Sequence, residues 1–341
     1  MSRPNIGLWA TLLALLVASL LLSCLLGSVQ LPVWELGAGL WARLRGHTGG
    51  ESPLLTIFFD VRLPRVLLAM VCGAALSLSG GVMQGVFRNP LADPFVLGTV
   101  SGATLGAALV VLFHHENTLW ALPLGAFAGA LLSTVILLLA SELRLSLYFD
   151  QGSLILVGVA LGSLLSALTG IALFASRTDQ VQSLVYWLFG SFAMSQWPTL
   201  MLVTICAIPT AILLLRSAQV LDLLSLGDAM AVHLGLDVKQ HKRRLLLLSS
   251  LLTALVVAAC GTIGFVGLVV PHIMRRLLGP GHRRLLVAAI LFGGAFLPLC
   301  DTAARTLLAP IEVPVGILTS LVGVPFFLSL LLRRSRLGTL S

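Results

Sequence analysis

The stretch from Gly80 to Gly98, GGVMQGVFRNPLADPFVLG, has two apolar arms around a polar kernel, Arg88–Pro94. Two prolines, an arginine, an asparagine and an aspartate fall within these seven residues, and charged groups of this kind are costly inside a bilayer. Proline also ends a helix, because it lacks the backbone N–H that the helix needs. The stretch therefore predicts two apolar helices joined by a polar turn.

The composition excludes a soluble domain. Of 341 residues, 58% are hydrophobic and only 10% are charged, whereas soluble domains contain about 25% charged residues. A membrane-spanning helix needs about 20 residues, so the hydrophobic residues could supply roughly ten spans. No linker or low-complexity tract divides the chain. We predict an all-α, polytopic membrane protein that forms one transmembrane domain over residues 1–341.

Uncharged runs place the spans. Residues 245–274 carry no formal charge and are too long for one span, and glycines punctuate them, so we expect the chain to reverse between Gly261 and Gly264. The ten predicted spans are 8–28, 66–87, 94–113, 117–141, 152–175, 196–215, 245–262, 264–278, 285–301 and 313–332.

The basic residues orient this bundle. Ten spans put both termini on one side, and that side collects all but six of the 21 Lys and Arg residues, the exceptions being Arg43, Arg45, Arg62, Arg65, Arg177 and Arg305. The positive-inside rule makes the richer side cytoplasmic. We therefore expect both termini and the kernel to be cytoplasmic, and the net charge of +8 requires no nucleic-acid partner.

The chain shows no catalytic set, no cofactor site and no metal site. It has no G-x-x-x-x-G-K-[ST] phosphate loop, no H-E-x-x-H motif, and five scattered cysteines that are typical of small buried hydrophobes. His114 and His115 could contact a metal or haem, but a solvated loop pair is the simpler interpretation. No acid lies at mid-span by these boundaries, which disfavours an ion-coupled carrier.

The longest predicted cytoplasmic loop, residues 216–244, contains SLGDAMAVHLGLDVKQHKRR. Leu226, Ala229, Met230 and the pair His233–Leu234 share one face of a helix, and Gly235 can end it. Such a short amphipathic helix suits the docking of a soluble partner, and equally a loop that lies on the headgroups.

Several motifs together resemble one family, the FecCD-type permeases of ATP-binding-cassette (ABC) importers for iron–siderophore complexes, haem and vitamin B12. They are RLPR at 62–65, the opening stretch at 80–98, LVGVALG at 156–162, YWLFG at 186–190, SLGDAMAVHLGLDV at 225–238, GFVGLVVPHIMR at 264–275, DTAAR at 301–305 and PVGILT at 314–319. They follow the family's order over residues 60–333.

The resemblance implies a type II ABC importer permease fold of ten helices in a bacterial inner membrane. It also implies a homodimer with the pathway on its twofold axis, two cytoplasmic ATPase subunits and a periplasmic or lipid-anchored substrate-binding protein. The cargo is then an iron chelate, either a ferric siderophore or haem. Vitamin B12 is the alternative within the class, and an ion-coupled secondary transporter or an intramembrane enzyme are the alternatives outside it.

The resemblance also implies three sets of site residues. The coupling helix that enters an ATPase cleft corresponds to Gly227, Asp228, Ala229, Met230, His233 and Leu234. The cytoplasmic gate corresponds to Asn89, Pro90 and Leu91, with Gln151 and Gly152 as a neighbouring layer. Docking of the binding protein corresponds to Arg62, Arg65 and Arg305, which we expect to be exposed and to give six positive charges around the mouth of a dimer. Ordinary interfacial anchoring is the alternative for Arg62 and Arg65.

Overall fold

A computed structural model describes residues 6–27, 32, 34–35, 53–113, 120–142 and 151–338. The principal helices are α1 (Ile6–Leu25), α2 (Pro53–Val86), α3 (Thr99–Leu112), α4 (Ala121–Glu142), α5 (Gln151–Ala175), α6 (Thr178–Leu188), α7 (Trp197–Arg216), α8 (Ala218–Ser225), α9 (Asp228–His233), α10 (Val238–Cys260), α11 (Val266–Leu278), α12 (His282–Thr306) and α13 (Val315–Gly338). Within α2, residues Ile57–Arg62 are π-helical. A 3₁₀ turn, Pro94–Leu97, precedes α3.

Each of the ten predicted spans coincides with one of these helices, and the all-α fold is confirmed. The reversal inside the long uncharged run falls where the glycines predict it, because residues 261–264 are not helical. The boundaries differ most at α2 and α10, which begin at Pro53 and Val238, well before the predicted positions 66 and 245. Polar and charged residues extend these helices beyond the apolar run, so a rule based on uncharged stretches cuts them short.

Seven of the described helices are long and apolar enough to cross a membrane, namely α1, α2, α4, α5, α7, α10 and α12. The apolar stretches Thr99–Leu112 and Val315–Ser329 are shorter. The protein is therefore a multi-pass membrane protein.

Helices α2, α10 and α12 form the centre of the bundle. Their apolar windows are 78%, 67% and 67% buried within the chain, against 22% for α1 and α5. Helix α2 contacts α12, α10, α11 and α7, whereas α5 packs mainly on α3. The exposed faces of α1 and α5 are thus left for lipid or for another chain.

Glycines set the closest helix crossings. A Cβ at Gly102 would collide with the Gly129 carbonyl oxygen, and a Cβ at Gly106 would collide with that of Gly125. On each helix the two glycines are four residues apart, and this spacing of small residues lets the backbones of α3 and α4 approach closely, as it does for helices in lipid.

Candidate functional site

The kernel is a compact turn at the end of α2. Arg88 adopts a left-handed conformation with φ = 48°, which is uncommon for a residue other than glycine. The Asn89 N–H donates to Gln84 O at 3.2 Å, and the Leu91 N–H donates to Asn89 Oδ1 at 3.0 Å. The asparagine side chain thereby supplies an acceptor for the Leu91 N–H beyond the end of the helix.

The kernel then leads into the 3₁₀ turn, which Asp93 caps. Its Oδ1 accepts from the Phe95 N–H at 2.8 Å. Burial raises the pKa of Asp93 to about 6, although the Phe95 hydrogen bond lowers it in part. Gly98 follows in a left-handed conformation with φ = 76°.

The end of this segment lies on α5. A Cβ at Gly98 would be 3.6 Å from Gly158 O and 3.8 Å from Gly162 N, and the 3₁₀ turn also contacts α5. This contact involves Gly98 and the 3₁₀ turn rather than residues 89–91, so the pairing of the kernel with Gln151 and Gly152 stays a prediction. Gly152 is exposed at the start of α5, and the Gln151 side chain lies outside the described residues.

A cavity of about 500 Å³ opens beside this contact. None of its lining residues is charged, and three are serines on an otherwise apolar surface; the lining is Phe95, Gly98, Ser101, Gly158, Val159, Gly162, Ser163 and Ser166. The volume falls within the range of about 300–1,000 Å³ usual for small-molecule sites.

The predicted short helix in the 216–244 loop is present as α9, and Gly235 ends it with φ = 85°. Only Ala231 of this helix is buried. Leu226, Met230 and Leu234 are 61%, 52% and 55% exposed. This apolar face protrudes from the bundle at the same end as the kernel, which we call the kernel end.

The opposite side of α9 is ionic. The carboxylate of Asp228, its first residue, lies 2.6 Å from Lys242 Nζ and 3.5 Å from Arg88 Nη2. The Lys242 side chain is 1% exposed and that of Asp228 is 15% exposed. Asp228 therefore joins the loop helix to the kernel and to the start of α10. We call these three residues the ionic link.

The three arginines predicted for docking lie together at the other end of α2, which we call the arginine end. Arg62 Nη1 donates to Cys24 O at 3.1 Å and to Leu25 O at 2.8 Å. Arg305 Nη2 donates to Ser23 O. The last carbonyls of a helix have no partner within it and carry partial negative charge, so these two arginines cap the C-terminus of α1.

Arg65 belongs to an ion cluster. Its Nε and Nη2 donate to the two carboxylate oxygens of Asp301, both at 2.9 Å, and its Nη1 lies 3.0 Å from Glu312 Oε2. Arg305 Nε lies 3.8 Å from the same Asp301. The Asp301 side chain is 2% exposed, whereas that of Glu312 is 36% exposed.

The expectation that these arginines are exposed is therefore wrong. Arg62, Arg65 and Arg305 are 4%, 8% and 3% exposed, because the neighbouring helix ends supply carbonyls and carboxylates that neutralise them. Three guanidinium groups face two carboxylates, so the cluster carries a net charge of +1 per chain rather than the +3 expected.

The sequence did not reveal the ionic partners of the predicted site residues. Lys242 was counted only among the basic residues that orient the bundle, Arg88 was named only as part of the kernel, and no partner was predicted for Glu312 or Asp301. Since the partners lie 14 to 247 positions apart in the chain, no local pattern could have paired them.

His114 and His115 lie outside the described residues, and so do Arg43 and Arg45. No group of His, Cys, Asp or Glu in the described part could hold a metal ion.

The helical bundle, the interrupted α2–α3 connection and the protruding loop helix define a transport permease. Residues 15–333 match the FecCD transport family, and the chain belongs to it. The resemblance seen in the sequence is confirmed.

Individual relatives are permease proteins of transport systems. The chain is 43% identical over 327 residues to the hemin transport system permease protein HmuU of Yersinia pestis, covering 95% of this chain and 94% of that protein. It is 39% identical over 335 residues to the vitamin B12 import system permease protein BtuC of Salmonella typhi, covering 98% and 97%. A solved metal-chelate type ABC transporter in an inward-facing conformation is 34% identical, with a TM-score of 0.84 and coverage of 97% and 100%.

Proposed function

We propose that this permease imports an iron chelate, a ferric siderophore or haem, across a bacterial inner membrane as a homodimer powered by two ATPase subunits. The observation that carries this proposal is α9, an exposed apolar helix tied ionically to the kernel. A vitamin B12 cargo is the second candidate, favoured by the 39% identity to BtuC.

The coupling role rests on the two faces of α9. Leu226, Met230 and Leu234 are exposed on one side, where an apolar surface in contact with water marks a protein interface. The clustering of Lys and Arg makes the kernel end the cytoplasmic one in this proposal, as the even number of predicted spans does for both termini. ATPase subunits, which need cytoplasmic ATP, would meet α9 there.

The homodimer rests on the face of α5. Leu156, Ile171 and Phe174 are 66%, 67% and 96% exposed, as lipid or a partner chain requires. Two of the three cavity serines, Ser163 and Ser166, lie on this helix too, and polar side chains of a spanning helix usually face the bundle interior or a water-filled cavity. A second copy of the chain across this surface would enclose the cavity in a central, water-filled path beside the kernel.

The cargo assignment draws on the hemin permease and on the metal-chelate transporter among the relatives. The cavity beside the kernel is uncharged. A transport path must hold its cargo weakly enough for release, and such a lining suits a bulky chelate handed over by a binding protein.

We still propose that the binding protein docks at Arg65, but at a side chain that is buried and paired rather than exposed. Asp301 holds one edge of Arg65 deep inside the protein, but Glu312 holds the other edge at the surface. An acidic group of the binding protein could take the place of Glu312. Complementary charges of this kind orient docking more than they add affinity.

Reconstitution tests the central proposal. The chain is placed in liposomes with and without the ATPase subunits and binding protein from its own genome, and uptake of haem, a ferric siderophore and cobalamin is measured. We expect ATP-dependent uptake of an iron chelate only with all components present. Uptake driven by an ion gradient without an ATPase would refute the proposal, and uptake of cobalamin alone would select the second candidate.

The proposed contact between the apolar face of α9 and the ATPase is tested separately. Leu234→Arg should abolish co-purification of the ATPase, because it puts a charge into an apolar contact. Lys239→Glu changes an exposed charge at the start of α10 and should leave co-purification unchanged. If Leu234→Arg assembled as well as the wild type, α9 would not be the contact.

The gate is tested by crosslinking. Leu91→Cys or Asn89→Cys should form disulfides between the two subunits in some nucleotide states and not in others, because the kernel would lie beside the axis. If the crosslinking yield were the same in every nucleotide state, the kernel would be a static turn and not a gate.

The docking proposal is tested by removing Glu312, the acid that competes with the binding protein for Arg65. Glu312→Gln should tighten binding-protein association several-fold at low salt, since it frees one edge of Arg65. Asp60→Asn removes an exposed acid near the same end and is the matched control. Equal tightening by both variants would indicate general electrostatics and contradict exchange at Arg65.

A further inference from the structure

The ionic link has a geometry that a docking contact does not explain. Asp228 is the first residue of α9, yet its carboxylate points away from the exposed apolar face and into the protein. It lies 2.6 Å from Lys242 Nζ, and the Lys242 residue is 0% exposed. A partner that binds the apolar face of α9 would not need to touch this carboxylate.

Burial makes this contact hard to break. A buried charge that loses its partner is strongly destabilised, so Asp228 and Lys242 must move together or stay together. The start of α10 is therefore tied to the start of α9. Asp237 plays a different part in the same loop, because its Oδ1 only accepts from the Gln240 N–H and caps α10.

The other arm of the link reaches the kernel. Arg88 Nη2 lies 3.5 Å from Asp228 Oδ1, and a Cβ at Gly227 would lie 3.4 Å from Arg88 Nη1. The guanidinium group thus rests over the entry to α9. The backbone of Arg88 is left-handed, a conformation held only where surrounding contacts enforce it. The residue after it, Asn89, begins the proposed gate.

We propose that Asp228 is a positioning residue that transmits movement of α9 to the kernel through Arg88, with Lys242 as its buried anchor. This role presupposes that α9 receives the ATPase, as proposed above. A push on the apolar face then shifts Asp228, and Arg88 carries the shift to the turn that Asn89 and Leu91 form.

The first experiment needs no partner. Backbone hydrogen exchange of the full chain in nanodiscs is compared for wild type, Asp228→Asn and the matched control Asp237→Asn. We expect Asp228→Asn to exchange at least tenfold faster at the amides of Asn89, Leu91 and Ala92, with little change within α2 itself. Asp237→Asn should not alter these amides, since asparagine caps a helix as well as aspartate does.

The second experiment measures coupling with the ATPase subunits and binding protein. Relative to the amount of ATPase that co-purifies with each protein, Asp228→Asn should consume at least fivefold more ATP per transported chelate than the wild type. The double variant Asp228→Asn with Lys242→Met removes the buried ammonium group as well. It should restore the melting temperature without restoring coupling, which separates signalling from folding.

Two results would overturn the proposal. Unchanged kernel exchange in Asp228→Asn would show that the link is not connected to the turn. Loss of ATPase co-purification with normal kernel exchange would make Asp228 a direct docking contact. If the wild type itself shows no ATP-dependent transport, the proposed function fails, while the exchange experiment still decides the link.

Discussion

Replacing Arg65 with methionine should destabilise the fold far more than removing its surface partner, Glu312. Methionine keeps most of the length of the side chain and removes the guanidinium group. Asp301, which is 2% exposed, then loses both hydrogen bonds to Arg65. Glu312→Gln leaves this buried pair intact.

The geometry sets the magnitudes. Breaking a buried, hydrogen-bonded ion pair typically costs about 3–5 kcal/mol. Arg305 Nε remains 3.8 Å from Asp301 and still screens it, so we expect about 3 kcal/mol for Arg65→Met. Glu312 is 36% exposed, and Glu312→Gln should cost at most about 1 kcal/mol, as exposed pairs do.

The double variant Arg65→Met with Asp301→Asn removes both buried charges. It should be more stable than the sum of the two single changes predicts, because neither partner is left unpaired.

Unfolding in a denaturing detergent, followed by the fluorescence of the six tryptophans, measures these free energies. High salt should abolish the small effect of Glu312→Gln by screening and leave that of Arg65→Met unchanged. Equal losses for Arg65→Met and Glu312→Gln, or additive effects in the double variant, would refute the buried cluster.

Two further predictions concern helix packing and pH. Gly102→Val should destabilise the α3–α4 crossing by several kcal/mol, because its side chain meets the Gly129 backbone. Gly170→Ala, where a Cβ has open space, should be neutral or slightly stabilising in the same unfolding assay. The pKa of Asp93 is raised from 3.8 to about 6, so its contribution to stability is full below pH 3.8 and is lost as the pH rises to about 6. The free energy of unfolding should therefore fall between about pH 4 and pH 6, and Asp93→Asn, which cannot ionise, should remove that fall.

The architecture could be predicted from the sequence because a bilayer leaves few choices. Backbone groups in lipid must be bonded within a helix, so uncharged runs become helices, and the prolines of the kernel and the glycines at 261–264 become the breaks between them. The short helix α9 was also predictable, since its apolar spacing and Gly235 are local signals. Family motifs then supplied the roles of these segments.

Only the tertiary structure decided which charges are paired. The sequence gives Arg65 an outward position near one end of α2, but Asp301 and Glu312 arrive there from α12 and the segment before α13, more than 200 residues later in the chain. In the same way, Asp228 turns away from the face that its helix exposes, because Lys242 and Arg88 converge behind it. A local pattern reports where a helix forms and which face is apolar, whereas the burial and ionic partner of a side chain depend on elements distant in the chain.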